Sequence, residues 1–479
     1  MHNVHKKTHP GRNRQGRITY ICGASKRFMK KRIPFQTIQY RYILIICLLL
    51  PSFQPIRAAC LIPGPDTADY FNSNYLRYAD YTYKPNIKSI LLHQEGFELS
   101  DPVIQLNGND HLNLGFDDLE GNIRQYLYTV IHCDASWHPS EIWFNDYIEG
   151  LQEDLIEDYQ FSFNTLRAYT HYSLSFPNER LSLKLSGNYI LKVYTRNNDG
   201  MEELAFTRRF LVFDPKVSLE ANVIRATTIE EFETNQEIDF LIHTSGYRID
   251  SPYQDIQVTI LQNGRWDNAL STLKPYLIKG DVLDYSYTNG SNQFPGGNEF
   301  RRFDIRSLRT VSEKVKGISR TENGYDVNLW ESERRTFKVY VQDDDINGKF
   351  TLKTYDESAV ETMGDYALVH FFLPYAAPVV DGSLYVGGGF NGWQYTPENK
   401  MKFNYIRHGY EAEILLKQGY YNYQYILLPN NSGRGDATYV EGSHYQTGNN
   451  YTILVYQRER GTVYDQLIAV GNFDSRKTK

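Results

Sequence analysis

From Ile87 onward, apolar and polar residues alternate in short runs, and turn residues interrupt them every eight to twelve positions. "IKSILLH", "VIQLN", "LNLGFDDL", "RQYLYTVIHCD", "LSLKLSG", "NYILKVYTR" and "LAFTRRFLVFD" follow one another, divided by "NGND", "LEGN", "SGN" and "NNDG". A period of two turns one face inward and the other to water, which predicts half-buried strands rather than helices. About seven such strands in some 130 residues predict a β-sandwich. Ile142 to Asp158 departs from the pattern: acidic and only loosely periodic, it predicts a long cross-over loop rather than a core helix.

The same alternation continues through two further units. "FDPKVSL" places Pro215 between two strand-like runs, a boundary signal. Beyond it "EIDFLIHTSG", "IQVTILQNGRW", "TFKVYVQDDD" and "DYALVHFFLP" are predicted strands, with a turn-rich loop, "DYSYTNGSNQFPGGNEFRRFDIRSLR", among them. "PYAAPVVDG" is the next linker. The expected organisation is an all-β protein of tandem immunoglobulin-like or early-set β-sandwiches: an N-terminal sandwich over 84–215, a middle β-rich domain with a long loop over 216–375, and a C-terminal early-set-like sandwich over 376–467.

Composition supports this picture and adds an export signal. The 479 residues include 39 Tyr and 25 Phe but only 5 Met, a bias toward strand formers. Residues 1–59 form a predicted signal-peptide region. The first 58 carry twelve basic residues and no acidic one, and lead through the apolar run "YILIICLLL" to the small residues Ala58 and Ala59. That run is too short to span a bilayer as a helix, so no membrane span is expected after its removal. Met29, followed by "KKR", is a more ordinary start than Met1. Cys60 opens a lipoprotein alternative, against which Arg57 stands awkwardly close to the cleavage site.

Past Ala59 the chain keeps 39 basic residues against 57 acidic ones, a net charge of −18. That charge opposes nucleic acid and anionic lipid as partners. Only Cys60 and Cys133 remain there, so no disulfide framework is expected and packing must hold the fold.

Candidate chemistry is sparse. No metalloprotease, nucleophile-elbow, phosphate-loop or paired-cysteine pattern occurs, and we expect neither catalysis nor a cofactor nor a metal. "HCDASWH" brings His132, Cys133, Asp134 and His138 close in sequence, but neighbours on a strand point to opposite faces, so His132 and Cys133 do not converge on zinc without a bulge. "DDDING" opens like a calcium loop at Asp343, Asp345, Asn347 and Gly348, yet Thr354 stands where the bidentate glutamate belongs. A hairpin turn accounts for it equally well.

"GGGFNGWQYTPENKM" has the glycines for a tight bend that lifts Trp393 toward the surface, where an indole can stack on a sugar. The order and spacing around it resemble the early-set sandwich of glycogen-binding modules. Those modules also use a lysine in the following strand and a second aromatic after it. Here Gln424 occupies the first place and Tyr439 alone is available for the second. A glycan-binding accessory protein is therefore the alternative reading.

Several stretches together resemble the plug protein family of the bacterial type IX secretion system, a periplasmic family of the Bacteroidetes. They are "YLYTVIHCDASWHPSEIWFNDYIEG", "NTLRAYTHYSLSFPNE", "SGNYILKVY", "NQFPGGNEFRRFDIRSLR", "KVYVQDDDINGKF" and the "GGGFNGW" sandwich, in order from about Ile87 to Tyr456. The family's hallmark positions map onto His132, Cys133, Trp137, Asn164, Tyr169, Thr170, His171, Tyr172, Pro177 and Asn178, and onto Gly296, Gly297, Asn298, Glu299, Arg301 and Asp304. The resemblance implies a non-enzymatic, periplasmic protein that associates with the outer membrane through the type IX translocon barrel and closes it, with no small-molecule ligand. The expected partner-binding residues are Phe294, Phe300, Arg301 and Arg302 on the Gly-rich loop Asn289 to Arg302, together with Trp393. The competing expectation for that loop is that it packs across its own domain, with the two Phe in the core and the arginines paired internally.

Overall fold

A computed structural model describes residues 75–355 and 359–477; the signal-like region, Cys60 and the expected cleavage site lie outside them. Period-two alternation appears as strands in all three units, with one exception given below, and every helix among the described residues is a single turn. The fold is all-β, as expected, and consists of three sandwiches.

The first sandwich packs a six-stranded sheet on a four-stranded one. In the larger sheet Gly187–Arg196 lies between Glu202–Phe213 and Leu127–Cys133; in the smaller, Leu112–Asp118 lies between Ile87–Gln94 and Thr170–Phe176. Inward residues such as Leu114, Phe116, Tyr128, Tyr172, Val193 and Phe206 fill the space between them. The acidic segment expected as a cross-over loop contains one helical turn, Phe144–Tyr147, and the short strands Ile148–Gly150 and Asp154–Leu155.

The second and third sandwiches do not follow the boundaries expected at 215/216 and 375/376 as successive units. Ile256–Gln262 pairs along its whole length with Asn450–Gln457, which in turn pairs with Gln466–Asp474. The last two strands of the chain therefore complete the sandwich begun by Ser218–Arg225 and Asn235–His243, sharing a core that includes Ile238, Val258, Tyr285, Phe294, Tyr451 and Ile453. Everything from Arg301–Asp304 to the helical turn Thr438–Glu441 is inserted within it as the third sandwich, whose sheets centre on Gly419–Pro429 and on Tyr366–Pro374 with Gly409–Lys417. Its core gathers Phe303, Val327, Phe371, Val386, Tyr421 and Tyr425. Alternation reports that a strand has an inner face, not which distant strand covers it.

One predicted strand finds no partner. "TFKVYVQ" (336–342) is outside every sheet: Phe337–Gln342 has strand composition but belongs to no strand ladder.

Candidate interaction site

The Gly-rich loop proposed for partner contact runs between the second and third sandwiches, and its backbone explains its course. Gln293–Pro295 pairs with Asn235–Glu237 and turns Phe294 inward, where it is 1% exposed and its ring centroid lies 5.5 Å from that of Tyr451. At Gly296 a Cβ would collide with the backbone carbonyl of His444, so only glycine permits this approach. Asn298 then donates its amide to the carbonyl of Glu441 at 2.8 Å. The Glu299 side chain accepts from the Tyr340 hydroxyl, from Arg476 at 2.9 Å and from the Gly448 amide at 3.1 Å.

Phe300 is 3% exposed, and its amide donates to the Asp345 carboxylate. Arg301 donates through Nε to Glu441 at 2.9 Å and through Nη2 to the Glu333 carbonyl at 2.6 Å. Arg335 donates to the other oxygen of Glu441 at 2.7 Å, and the Tyr425 amide reaches the same carboxylate at 3.0 Å. Glu441 is wholly buried, and burial alone would raise its pKa; Arg301 and Arg335 outweigh that and hold it below the ordinary value. Arg302 pairs with Asp343 at 2.6 Å and donates to the Asp344 carbonyl at 2.6 Å.

This placement corrects the expectation for the loop. Phe294 and Phe300 are core side chains and Arg301 is the cation of a buried ion pair, so none of the three presents a surface to a partner. Arg302 is committed to the Asp343–Asp345 turn. The internal-packing alternative describes the loop: it is a strap that joins two sandwiches, and its hallmark residues Gly296 to Arg301 hold that junction together.

Trp393 belongs to the same junction. Gly392 has φ 60° and Trp393 itself φ 58°, the left-handed bend its glycines foreshadow. Its ring centroid lies 5.9 Å from that of Phe300, the Arg265 guanidinium sits 4.2 Å over its face, and a Cβ on Gly348 would strike its edge. Arg265 is in turn paired with Asp267 at 2.6 Å, and Asp267 accepts from the Tyr395 hydroxyl at 3.1 Å. The indole face that a sugar would use is covered by an arginine of the second sandwich. The five expected residues are thus distributed through the joint between sandwiches two and three and do not form one exposed patch.

The two reactive clusters resolve in the same structural direction. His132 is buried, with Nδ1 2.8 Å from the Ser140 hydroxyl and Nε2 3.2 Å from the Ser186 carbonyl, and burial pushes its pKa down to about 4. Cys133 points to the opposite face, into an apolar cluster with Leu261, Leu454 and Tyr456 that joins the first sandwich to the second; burial raises its thiol pKa strongly. Asp345 accepts from the amides of Phe300 and Asn347, in a tight turn where Asn347 and Gly348 have φ 52° and 79°. Among the described residues no group of His, Cys, Asp and Glu is arranged to hold a metal ion.

One constellation has no local signal in the sequence. Lys417 of the third sandwich donates to Asp117 of the first at 2.7 Å; Tyr366 also donates to Asp117 at 2.7 Å, and His171 Nδ1 lies 2.6 Å from it. Tyr169 closes the group by donating to the Gly364 carbonyl at 2.9 Å beneath the Lys417 ammonium. Lys417 and Asp117 stand 300 positions apart. No spacing rule links them, although Tyr169 and His171 lie in a stretch already singled out.

Comparisons with known proteins bear on this architecture. Residues 87–214, the first sandwich, match the family model for the type 9 secretion system plug protein 1st domain. A crystal structure of a hypothetical protein from Parabacteroides merdae is similar over 83% of this chain and all of that one, with 34% identity and a TM-score of 0.80. No curated protein matches.

Proposed function

Because this chain belongs to the type IX secretion system plug protein family, we propose that it is a periplasmic plug that binds the periplasmic end of the outer-membrane translocon barrel and closes it. The family carries the coarser part: a type IX secretion-related role in the Bacteroidetes envelope, through interaction with the secretion machinery. The family and the all-β fold together favour a binding protein over an enzyme.

The observation that carries the proposal is the family match of the first sandwich, extended by the 34% identity that runs on through the other two. Buried networks reinforce it physically. Asp117 with Lys417 ties the first sandwich to the third, the Cys133 cluster ties the first to the second, and Glu441 with Arg301 braces the second against the third. A body braced at all three joints resists deformation, as a stopper must and as a hinged ligand-binding protein need not.

Affinity capture with the tagged mature protein on detergent-solubilised outer membranes tests the association: recovery of a very large outer-membrane barrel is expected, and its absence overturns the reading. Closure is tested separately by adding the protein to that barrel in a planar bilayer. Conductance should fall on addition to the periplasmic side, and unchanged conductance in a bound complex would leave association without gating.

A further inference from the structure

The segment Phe337–Gln342 leaves a turn at Phe337 and Lys338 and runs from Val339 to Gln342 with no turn, bend or strand pairing, apolar on alternate residues. Phe337, Val339 and Val341 are 89%, 88% and 73% exposed. Val339 and Val341 have the i, i+2 spacing of one strand face; Phe337 lies in the turn before them, with the Arg334 guanidinium 5.8 Å from its ring centroid. Tyr340 points the other way, where its hydroxyl donates to Glu299 and to the Gln446 carbonyl, and so anchors the segment to the body. Before it, the Lys338 amide bonds the Arg335 carbonyl at 2.9 Å; after it, Arg302 and Arg476 bond the carbonyls of Asp344 and Asp343. The segment is therefore held at both ends and in the middle, yet its backbone amides from Val339 onward are free. Among the described residues the amides of Val339 to Asp343 and the carbonyls of Phe337 to Gln342 have no hydrogen-bond partner in the protein.

An exposed row of strand donors and acceptors beneath β-branched and aromatic side chains is a template for another strand. The four residues Val339–Gln342 at about 3.3 Å each offer a ladder of about 13 Å, a short strand. We propose that Val339–Gln342, with Phe337 at its border, is a docking edge that accepts an extended segment of the secretion machinery as an added β-strand. The inference rests on the plug reading and deepens it by naming the contact. The occupant is a polypeptide segment with apolar residues at alternate positions, to cover Phe337, Val339 and Val341. It carries a basic residue at the end beside Asp344, whose side chain is 96% exposed and has Arg476 at 3.6 Å. A second copy of the chain is the poorer fit, because each copy carries a net charge of −18 beyond Ala59 and like-charged bodies repel.

The test compares the full mature protein with Val339→Pro and Val339→Thr in capture of the translocon barrel from solubilised outer membranes. Proline removes one ladder donor and blocks pairing, whereas threonine keeps the backbone and the β-branched shape. Since neither the amide nor the carbonyl of Val339 is bonded among the described residues and its side chain is 88% exposed, both variants should unfold at the wild-type denaturant midpoint. The expected result is a loss of about tenfold or more in barrel recovery for Val339→Pro, the scale of losing two or three backbone hydrogen bonds, with Val339→Thr within about threefold of wild type. Equal recovery by Val339→Pro and wild type overturns the docking edge and leaves the barrel reading standing. No recovery by wild type overturns both. A wild-type dimer that Val339→Pro converts to monomer assigns the edge to a second copy and overturns the proposed partner. Should Val339→Pro shift the denaturant midpoint, hydrogen exchange on the wild type decides: protection of amides 339–343 on binding the barrel supports the edge, and unchanged exchange refutes it.

Discussion

The strap 289–302 and the segment 337–342 exchange the roles their compositions suggest. The first is Gly-rich, polar and turn-forming, with two arginines, and reads as a surface loop; its side chains Phe294, Phe300 and Arg301 are interior. The second is a run of strand formers and reads as a half-buried strand; its side chains Phe337, Val339 and Val341 are mostly in water. What separates them is the supply of distant partners. The strap runs past His444, Tyr451 and Glu441, which accept its backbone, its ring and its charge. Among the described residues the outer side of Phe337–Gln342 meets nothing comparable, with the Arg334 guanidinium 5.8 Å over the Phe337 ring. Local composition sets what a segment can do, and the rest of the chain decides whether it does it.

The widest gap between the two regions should appear in stability. Glu441→Ala leaves Arg301 and Arg335 as uncompensated charges at a buried site, a loss of about 3–5 kcal/mol, read from urea unfolding of the mature protein. Phe294→Ala should cost a similar ~3–5 kcal/mol through the cavity it leaves against Tyr451. By the same argument Arg301→Glu, which the surface-loop reading expects to weaken only partner binding, should unfold the joint by facing Glu441 with a like charge. A loss below about 1 kcal/mol for both Glu441→Ala and Phe294→Ala would mean that the strap is not buried in solution, and the contrast would collapse.

Acid offers a second way to separate the regions. His132 is buried neutral with its pKa pushed down to about 4, so between pH 6.5 and 4 the unfolded chain binds the proton that the folded one refuses. Stability should fall by about 3 kcal/mol as pH drops through that window. Glu441 acts lower. Its folded pKa lies below 4.5, so its contribution is complete above pH 4.5 and is lost as pH falls toward the lowered value. Unfolding midpoints measured against pH should keep the first loss in Glu441→Gln and lack the second. The segment 337–342 carries no group that titrates in either range, and Val339→Thr should leave the whole profile unchanged.

Much of the fold was legible because alternation is a local signal. The strands of the first sandwich and the tight bend at Gly392 and Trp393 follow from side-chain period and turn chemistry. The opposite facing of His132 and Cys133 follows from the pleat alone. The insertion of the third sandwich into the second was not legible, because the pairing of Ile256–Gln262 with Asn450–Gln457 joins strands nearly 200 positions apart that carry no complementary motif. The Asp117–Lys417 pair was hidden for the same reason. The strap was misread where a glycine signified close backbone approach rather than exposure: Gly296 abuts the His444 carbonyl, and in one dimension that glycine looks the same as one at a loop tip.

Trp393→Ala falls between the extremes and tests whether the bend belongs to the strap's joint. The indole is half-buried against Phe300 and Arg265, so its removal should cost about 2 kcal/mol, from lost apolar contact and the arginine stacked on it. Arg265→Met should weaken the effect of a second Trp393→Ala change, because the two side chains share one contact; additive losses in the double variant would show that they act apart.

The smallest expected change is the most informative about the other region. Phe337→Ser removes a large aromatic side chain that is 89% exposed, and its unfolding free energy should stay within about 0.5 kcal/mol of wild type. In the strap the corresponding truncation should be several times that figure. A burial-driven fold has no use for Phe337, Val339 and Val341 where they stand, since apolar surface left in water contributes nothing to folding and promotes self-association. If Phe337→Ser is neutral for stability and lowers retention on an alkyl matrix, the apolar face is open in solution and its cost must be met by something that binds there. If the same change costs 2 kcal/mol or more, the segment folds back on the body in solution, and the strap and the edge differ only in degree.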